Sequence, residues 1–403
     1  MMRAFLVVMD SVGIGGAPDA DRFFNGDVPD TGSNTVLNIA KACADGHANQ
    51  GRQGPLNLPT LTRLGLGNAI HAASGEIAPN LPLVSGATWA AASEKSLGKD
   101  TPSGHWELAG LTVPWDWHYF PKTQPSFPAN VTDAVCHAAG VSGILGNCHA
   151  SGTEIIQNLG KRHVESGQPI CYTSIDSVFQ IAAHETHFGL ERLYDLCAAI
   201  APMLHEMKVG RVIARPFVGD QETGWKRTSN RHDFAIEPPC PVLTNYLQNA
   251  GVHTRAIGKI GDIFSMHGID LCVKGDDETL STSLDDHVRN APDHSFTFAN
   301  FVEFDSLYGH RRDVSGYARA LEWFDQRMAG VLSQLRPDDM LILTADHGND
   351  PTWVGTDHTR ERVPVLIAGA HPKDIGVIGF SDVAATIARF FDVPYCGEGK
   401  NIV

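Results

Sequence analysis

The sequence predicts an α/β fold built on a mostly parallel sheet between helices, with an α+β domain inserted into it. Three observations lead there. Short β-rich apolar runs end abruptly in an acid or a glycine, stretches with apolar residues at helical spacing lie between them, and aromatic and proline-rich joints set off the middle of the chain. Parallel strands covered on both faces read as unbroken apolar runs, and their alternation with helices marks a layered α/β architecture.

The first run, Ala4 to Met9, stops at Asp10, and a helix is expected over Asn34 to Ala44 (NTVLNIAKACA). From about Trp117, WDWHYFPKTQPSFP opens a region with strand and helix patterns of its own, and IEPPCP closes it. Pro-containing joints of this kind behave as domain boundaries. The expected organisation is a core in two segments, 1–116 and 238–403, with the inserted domain over 117–237. In the second core segment the runs Phe296 to Phe304, Met340 to Thr344 and Val363 to Ala368 end before Asp305, Asp346 and Gly369. Helices are expected over Gly316 to Leu335 and over Ser381 to Phe391, the latter capped by Ser381 with Asp382 in its first turn.

Composition narrows the function. The 403 residues allow about two domains. With 42% hydrophobic and 19% charged residues the chain is neither disordered nor fibrous, and no solenoid-type repeat is visible. Lys plus Arg less Asp plus Glu is 31 − 46 = −15, which repels phosphodiester backbones and anionic membranes, so neither nucleic acid nor membrane is an expected partner. Small anions can still bind an acidic protein where metal ions reverse the local sign. The eight cysteines form no C-x-x-C pair and are too dilute for a disulfide scaffold. The N-terminal apolar run is too short for a secretory signal, and no stretch reaches the roughly 18–20 apolar residues of a membrane span, so the expected location is cytoplasmic.

Three tempting motifs fail. Gly13-Ile14-Gly15-Gly16-Ala17-Pro18 follows the first strand, but Pro18 stands where a dinucleotide-binding turn wants its third glycine, and Asp10 would repel a phosphate. In His184-Glu185-Thr186-His187 the histidines are three apart where a zincin helix needs four. Cys136-His137 and Cys148-His149 read better as small buried thiols beside surface histidines than as a zinc site.

The chemistry is carried by Asp10, Asp305, His310, Asp346, His347 and His358. The three acids follow expected strand ends, and in an open α/β sheet those ends converge on one crevice. Carboxylates brought together repel unless a cation neutralises them, and oxygen with imidazole nitrogen and no thiolate suits Mn²⁺, Zn²⁺ or Fe²⁺. One Asp after a strand is commonly a turn former; T-A-D-H-G-N-D followed by D-H-T eleven residues on is harder to dismiss. Asp350 and Asp357 read as turn residues or as acids that orient ligating histidines. A second element is K-D-T-P-S-G-H-W-E at 99–107. Thr101 before Pro102 reads as a helix N-cap, which is equally an anion site, and a hydroxyl there beside a divalent metal can attack phosphorus. Ser103 is the rival nucleophile, one turn into the helix.

Assembled, these residues resemble the alkaline phosphatase superfamily, and within it the bacterial phosphopentomutase family. The resemblance runs through V-M-D-S-V-G-I-G-G-A-P-D at 8–19, K-D-T-P-S-G-H-W-E, Y-T-S-I-D-S-V-F-Q-I-A-A-H-E at 172–185, G-R-V-I-A-R-P-F-V-G at 210–219, S-N-R-H-D-F at 229–234 and T-A-D-H-G-N-D-P-T at 344–352. It implies an alkaline phosphatase-like core whose inserted domain is a cap. It implies two Mn²⁺ per chain, one held by Asp10, Asp346 and His347 with the Thr101 oxygen, the other by Asp305, His310 and His358. Thr101 is then the phosphorylated residue, primed by a sugar bisphosphate such as glucose 1,6-bisphosphate. Substrate contacts fall on Ser174, Asp176 and Arg215 of the cap and on Lys259 of the core, with Arg227 and Arg231 as further candidates. The implied reaction interconverts the 1- and 5-phosphates of ribose and 2-deoxyribose through a bisphosphate, linking nucleoside catabolism to pentose phosphates. The partners are small sugar phosphates, and a monomer is favoured. Three other readings are a phosphatase or phosphodiesterase on the same core, a cofactor-independent phosphoglycerate mutase, whose nucleophile is Ser rather than Thr, and a non-catalytic metal-binding protein.

Overall fold

The computed structural model describes residues 2–174 and 176–403. They divide into two compact units, one running to Pro114 and resuming at Pro238–Val403, the other Trp115–Glu237.

The larger unit is organised by an eight-stranded sheet. Its order is Leu271–Val273, His253–Ile257, Ser295–Phe301, Arg3–Met9, Asp339–Thr344, Val363–Ala368, Thr88–Ser93, Lys373–Gly379. The first five strands are mutually parallel; Val363–Ala368 runs antiparallel to both its neighbours. Every residue of Arg3–Met9, Ser295–Phe301 and Asp339–Thr344 is buried, so both faces of the sheet centre are covered, as unbroken apolar runs require. The helix Val314–Gln334 packs against Thr35–Ala44 and Asp277–Asn290, and Leu66–Ser74 against the strand Thr88–Ser93. This mixed, mostly parallel α/β layering is the architecture the sequence led us to expect.

Three local expectations are corrected. The strand expected to reach Phe304 ends at Phe301, and Phe304–Gly309 forms a short π-helical turn, so Asp305 sits within that turn instead of at the strand end. The last helix is capped at Phe380; Ser381 is its first residue, and the Asp382 carboxylate accepts from Gly379 N. Thr101 likewise is not a cap. Asp100 is, its carboxylate accepting from Ser103 N at 3.1 Å. At Thr101 a neighbouring carboxylate outcompetes a hydroxyl for the orphan amides, being charged and favoured by the helix dipole, whereas the Asp382 carboxylate reaches back to an amide ahead of its cap.

At the closed end of the sheet, Arg3 is buried against Asp339, with Nε–Oδ1 at 2.9 Å, and donates to Val288 O at 2.8 Å. Removing one partner of a buried pair strands the other charge. Asp339→Asn is therefore expected to destabilise the protein by about 3–5 kcal/mol; an unchanged denaturation midpoint would contradict this.

The smaller unit carries its own sheet, in the order His232–Ala235, Arg211–Asp220, Val178–His184, Ile170–Thr173, Leu145–His149, with Gly224–Arg227 added to Arg211–Asp220. Alternation divides its core in two. Cys171, Phe179, Ile181, Val212 and Ala214 face one cluster with Val131, Leu196 and Ile200; Ile170, Tyr172, Ala182 and Phe217 face another with Ile156 and Trp225. No helix among the described residues is long and apolar enough to cross a membrane.

Candidate active site

Strand register decides what meets at the carboxyl edge of the larger sheet. Val8 pairs with both Asn300 and Thr344, so Asp10 and Asp346 each leave a central strand two residues further on. Ser11 adopts φ 69°, a strained left-handed backbone, and its amide donates to Asp346 Oδ1 at 3.0 Å. Asp305 comes in from the π-helical turn, its Oδ1 accepting from Asn349 Nδ2 at 2.7 Å, and His310 closes that turn. A bridge between Gly348 and Thr359 folds the following loop back on itself, and this brings the rings of His347 and His358 into a stack with centroids 4.0 Å apart. The D-H-T after D-H-G-N-D is thus drawn to the same strand exit by backbone pairing.

Thr101 opens the helix Thr101–Leu108. With capping done by Asp100, its hydroxyl is available, and Oγ1 lies 3.4 Å from His347 Nε2. Ser103 Oγ is engaged by Asp100 Oδ2 at 3.2 Å. The helix approaches the sheet at Gly104, where a Cβ would fall 2.1 Å from the Asp346 carbonyl oxygen, far inside an ordinary contact of about 3.5 Å. Gly104→Ala is therefore expected to push the helix off Asp346 and lower kcat by about 10²-fold or more, although alanine is the better helix former. Assay of the variant beside its melting temperature checks this; near-normal kcat would contradict it.

The electrostatics call for cations. Asp10, Asp305 and Asp346 are all buried. Burial, with Asp346 and then Asp305 nearby, pushes the Asp10 carboxyl well above the usual carboxylate range. Burial also opposes ionisation of Asp346, yet His347 and His105 hold it down at about 2. Asp305 is held low against burial by His358 and His310. Burial drives His347 down to about 4.

The imidazoles make the fit specific. His347 Nδ1 donates to Gly348 O at 3.1 Å, His358 Nδ1 to Lys99 O at 2.8 Å and His310 Nδ1 to Thr356 O at 2.6 Å. Each backbone carbonyl holds a proton on Nδ1, so a neutral ring presents Nε2 as the lone pair that a metal would take. Those lone pairs face other acceptors: His347 Nε2 is 3.3 Å from Asp346 Oδ2 and 3.5 Å from Asp10 Oδ1, His310 Nε2 is 3.1 Å from Asp305 Oδ2, and the Nε2 atoms of His358 and His310 are 3.1 Å apart. Asp10 Oδ1 is buried without a hydrogen-bond partner. In the neutral rings that a metal requires, lone pairs converging at such distances repel unless protons or cations sit among them. Ligand atoms of Asp10, Asp346 and His347 lie within 4.8 Å of one another, as do those of Asp305, His347 and His358, so the donors fit two adjacent oxygen and nitrogen sites with His347 beside both.

Of the remaining expected residues, Lys259 is exposed on the core, and its charge opposes the upward shift of Asp10. Ser174, Asp176 and Arg215 belong to the smaller unit. Ser174 follows the strand Ile170–Thr173; the Asp176 carboxylate pairs with Arg211 at 3.3 Å; Arg215 Nε meets the Tyr172 hydroxyl at 3.3 Å. That hydroxyl and Arg227 Nη1 lie beside Gly152, the first residue of the helix Gly152–Ser166, whose Ser151 side chain caps no backbone amide and meets Thr153 Oγ1 at 3.0 Å. Neither Arg215 nor Arg227 has a carboxylate partner among the described residues. Arg231 is engaged by Asp233, Nε to Oδ1 at 2.6 Å. Asp350 accepts from Asn34 N and Asn38 Nδ2, and Asp357 accepts from His358 N and lies 3.6 Å from Lys99 Nζ, so both acids brace loops.

Sequence reasoning passed over Asn300, His105, Asn349 and Arg312. Asn300 Nδ2 donates to Asp10 Oδ2 at 3.0 Å, and Arg312 ties Gly309, Gly355 and Asp357 carbonyls and Asn349 Oδ1 together beneath the Asp305 turn. The one available signal was an asparagine near the end of the aromatic-rich, wholly buried run ending at Phe301.

Residues 2–395 match the model of the metalloenzyme superfamily. A phosphopentomutase of Chelativorans sp. is 52% identical over all of this chain and 98% of its own, and that of Rhizobium leguminosarum bv. trifolii is 50% identical over the whole of both. A solved phosphoglycerate mutase of Leishmania mexicana aligns over 98% of this chain and 97% of its own at 14% identity, with a TM-score of 0.42. Half the residues shared from end to end, with the donor cluster intact, places the chain in the phosphopentomutase family of the metalloenzyme superfamily.

Proposed function

We propose that the protein is a phosphopentomutase that interconverts the 1- and 5-phosphates of ribose and 2-deoxyribose through a phosphothreonine at Thr101 and a bound bisphosphate, with two Mn²⁺ ions in the paired sites. One observation carries the reading: an uncapping hydroxyl at the start of a helix, 3.4 Å from an imidazole nitrogen that is itself turned toward buried carboxylates.

Bound at these residues, two divalent cations supply charge neutralisation for nonbridging phosphate oxygens and a lowered pKa for a coordinated hydroxyl. Everything else falls to the chain. Asp10, Asp346 and His347 hold one ion and Asp305, His310 and His358 the other. The Thr101 Oγ1–P bond breaks as a bond forms from phosphorus to the free hydroxyl of the sugar monophosphate; the other phosphate then returns to Thr101, so no phosphate is lost overall. Arg215 and Arg227, with the Tyr172 hydroxyl and the start of the helix at Gly152, supply donors without competing acids, suited to the phosphate that is not reacting. Ser174, Asp176 and Lys259 are proposed to contact the sugar and its phosphate. A sugar bisphosphate serves as primer for Thr101, and a cytoplasmic monomer acting on small sugar phosphates remains our expectation.

The test is an assay for pentose 1-phosphate to 5-phosphate conversion with added manganese, run beside intact-mass detection of phosphate on the protein. Isomerisation with a phosphate gained at Thr101 is expected. Steady release of inorganic phosphate from ribose 5-phosphate without ribose 1-phosphate would overturn the reading in favour of a hydrolase.

A further inference from the structure

His105 and Asn300 are wholly buried, and neither has a role in the reading above. His105 lies one turn beyond Thr101 on the same helix face. Its Nδ1 is 2.9 Å from Thr101 O and 3.1 Å from Asp346 Oδ2. Both neighbours are acceptors, so the proton resides on Nδ1 and Nε2 is left to accept. Asn300 Nδ2 approaches that Nε2 at 3.2 Å and Asp10 Oδ2 at 3.0 Å. One arrangement of protons fits these contacts: the two amide hydrogens of Asn300 go to Asp10 and His105, and the imidazole N–H goes to the Thr101 carbonyl with its positive edge against Asp346 Oδ2, which is buried without a hydrogen bond of its own. The ring is held from the side by Phe298, with centroids 5.9 Å apart.

We propose that His105, oriented by Asn300, is a positioning residue that fixes the Thr101 helix to both carboxylates of the Asp10–Asp346–His347 site. The metal-binding half stands on geometry alone; the part concerning Thr101 rests on its being the phosphorylated residue. Partners of this kind, one bond out from the ligands, typically change metal affinity or activity by about 10–100-fold.

Three variants separate the role from bulk packing. Asparagine places an N–H near the Nδ1 position, glutamine places its amide near Nε2 instead, and phenylalanine keeps volume alone. Full-length His105→Asn, His105→Gln and His105→Phe are compared by Mn²⁺ titration followed by electron paramagnetic resonance, by phosphate gained at Thr101 from a sugar bisphosphate, and by kcat and KM. For His105→Phe and His105→Gln the expected result is about 10–100-fold weaker binding of one of two ions, a matching fall in kcat and unchanged KM, with His105→Asn restoring most of both. Should His105→Phe fail to fold, the contrast between His105→Asn and His105→Gln carries the test. Wild-type binding of both ions in His105→Gln, or equal losses in His105→Gln and His105→Asn, overturns the proposal. Wild-type protein that binds two ions yet gains no phosphate at Thr101 overturns the proposed function, while the binding comparison still decides whether His105 positions the metal ligands.

Discussion

Thr101→Ala is expected to abolish phosphate incorporation and to lower turnover by at least about 10³-fold, the loss typical when a nucleophile is deleted, with the fold untouched. The contrast between those two effects is what the local structure predicts. The helix is capped by Asp100, so the Thr101 side chain contributes nothing to the first turn, and alanine is the better residue at its first position. The melting temperature is expected to hold or rise slightly while activity disappears. Thr101→Ser, which keeps a hydroxyl in place, is expected to retain measurable turnover and to take up phosphate. Ser103→Ala reverses the pattern: Ser103 Oγ supports the Asp100 cap at 3.2 Å, so its loss costs stability first and turnover second. Intact mass, melting and kcat measured on the three variants together check this. Phosphate on Thr101→Ala protein, or turnover within tenfold of wild type, would move the covalent step elsewhere.

That prediction depends on a detail the sequence misassigned. Thr before Pro reads as cap and first residue, yet the structure shifts the cap back to Asp100 and so releases the hydroxyl; at Ser381 the cap also falls one residue earlier, on Phe380. Strand positions and the acids Asp10 and Asp346 were legible because buried parallel strands are mostly apolar and their carboxyl ends open on one edge; Asp305 arrives from the turn after its strand, and Asp339, inside a strand, is held by Arg3. His347 and His358 were legible through their Asp-His pairs. What lay hidden was every group that acts by orienting another. Asn300, inside a strand, and His105, inside a helix, look like isolated polar residues in a core, and only the register Val8↔Asn300 and the approach at Gly104 bring them to Asp10 and Asp346. Arg312 is one of two adjacent basic residues in the sequence, whereas five backbone and side-chain acceptors fix it in place.

Chelation is expected to abolish activity and to leave the protein less stable than its manganese-loaded form by about 3 °C in melting temperature for each ion present at roughly 100 times its Kd. The sharper expectation concerns Asp10→Asn. A ligand lost from a metal site ordinarily destabilises, and with manganese present this variant should lose both the melting shift and the activity. In chelator the sign reverses. Asp10 is buried beside Asp346 and Asp305, and both neighbours oppose its ionisation. Its Oδ1 has no hydrogen-bond partner and stands 3.5 Å from the bare Nε2 of His347. An amide removes the charge; with its oxygen kept toward Asn300 Nδ2, its nitrogen offers a hydrogen to the very lone pair that the carboxylate repels. Metal-free Asp10→Asn should therefore melt above metal-free wild type and below manganese-loaded wild type. If instead the substitution destabilises the chelated protein, or chelation leaves the wild-type melting temperature where it was, then the carboxylates and imidazoles at the carboxyl edge of the sheet are already balanced without cations, and the metal-centred account of Thr101 fails with them.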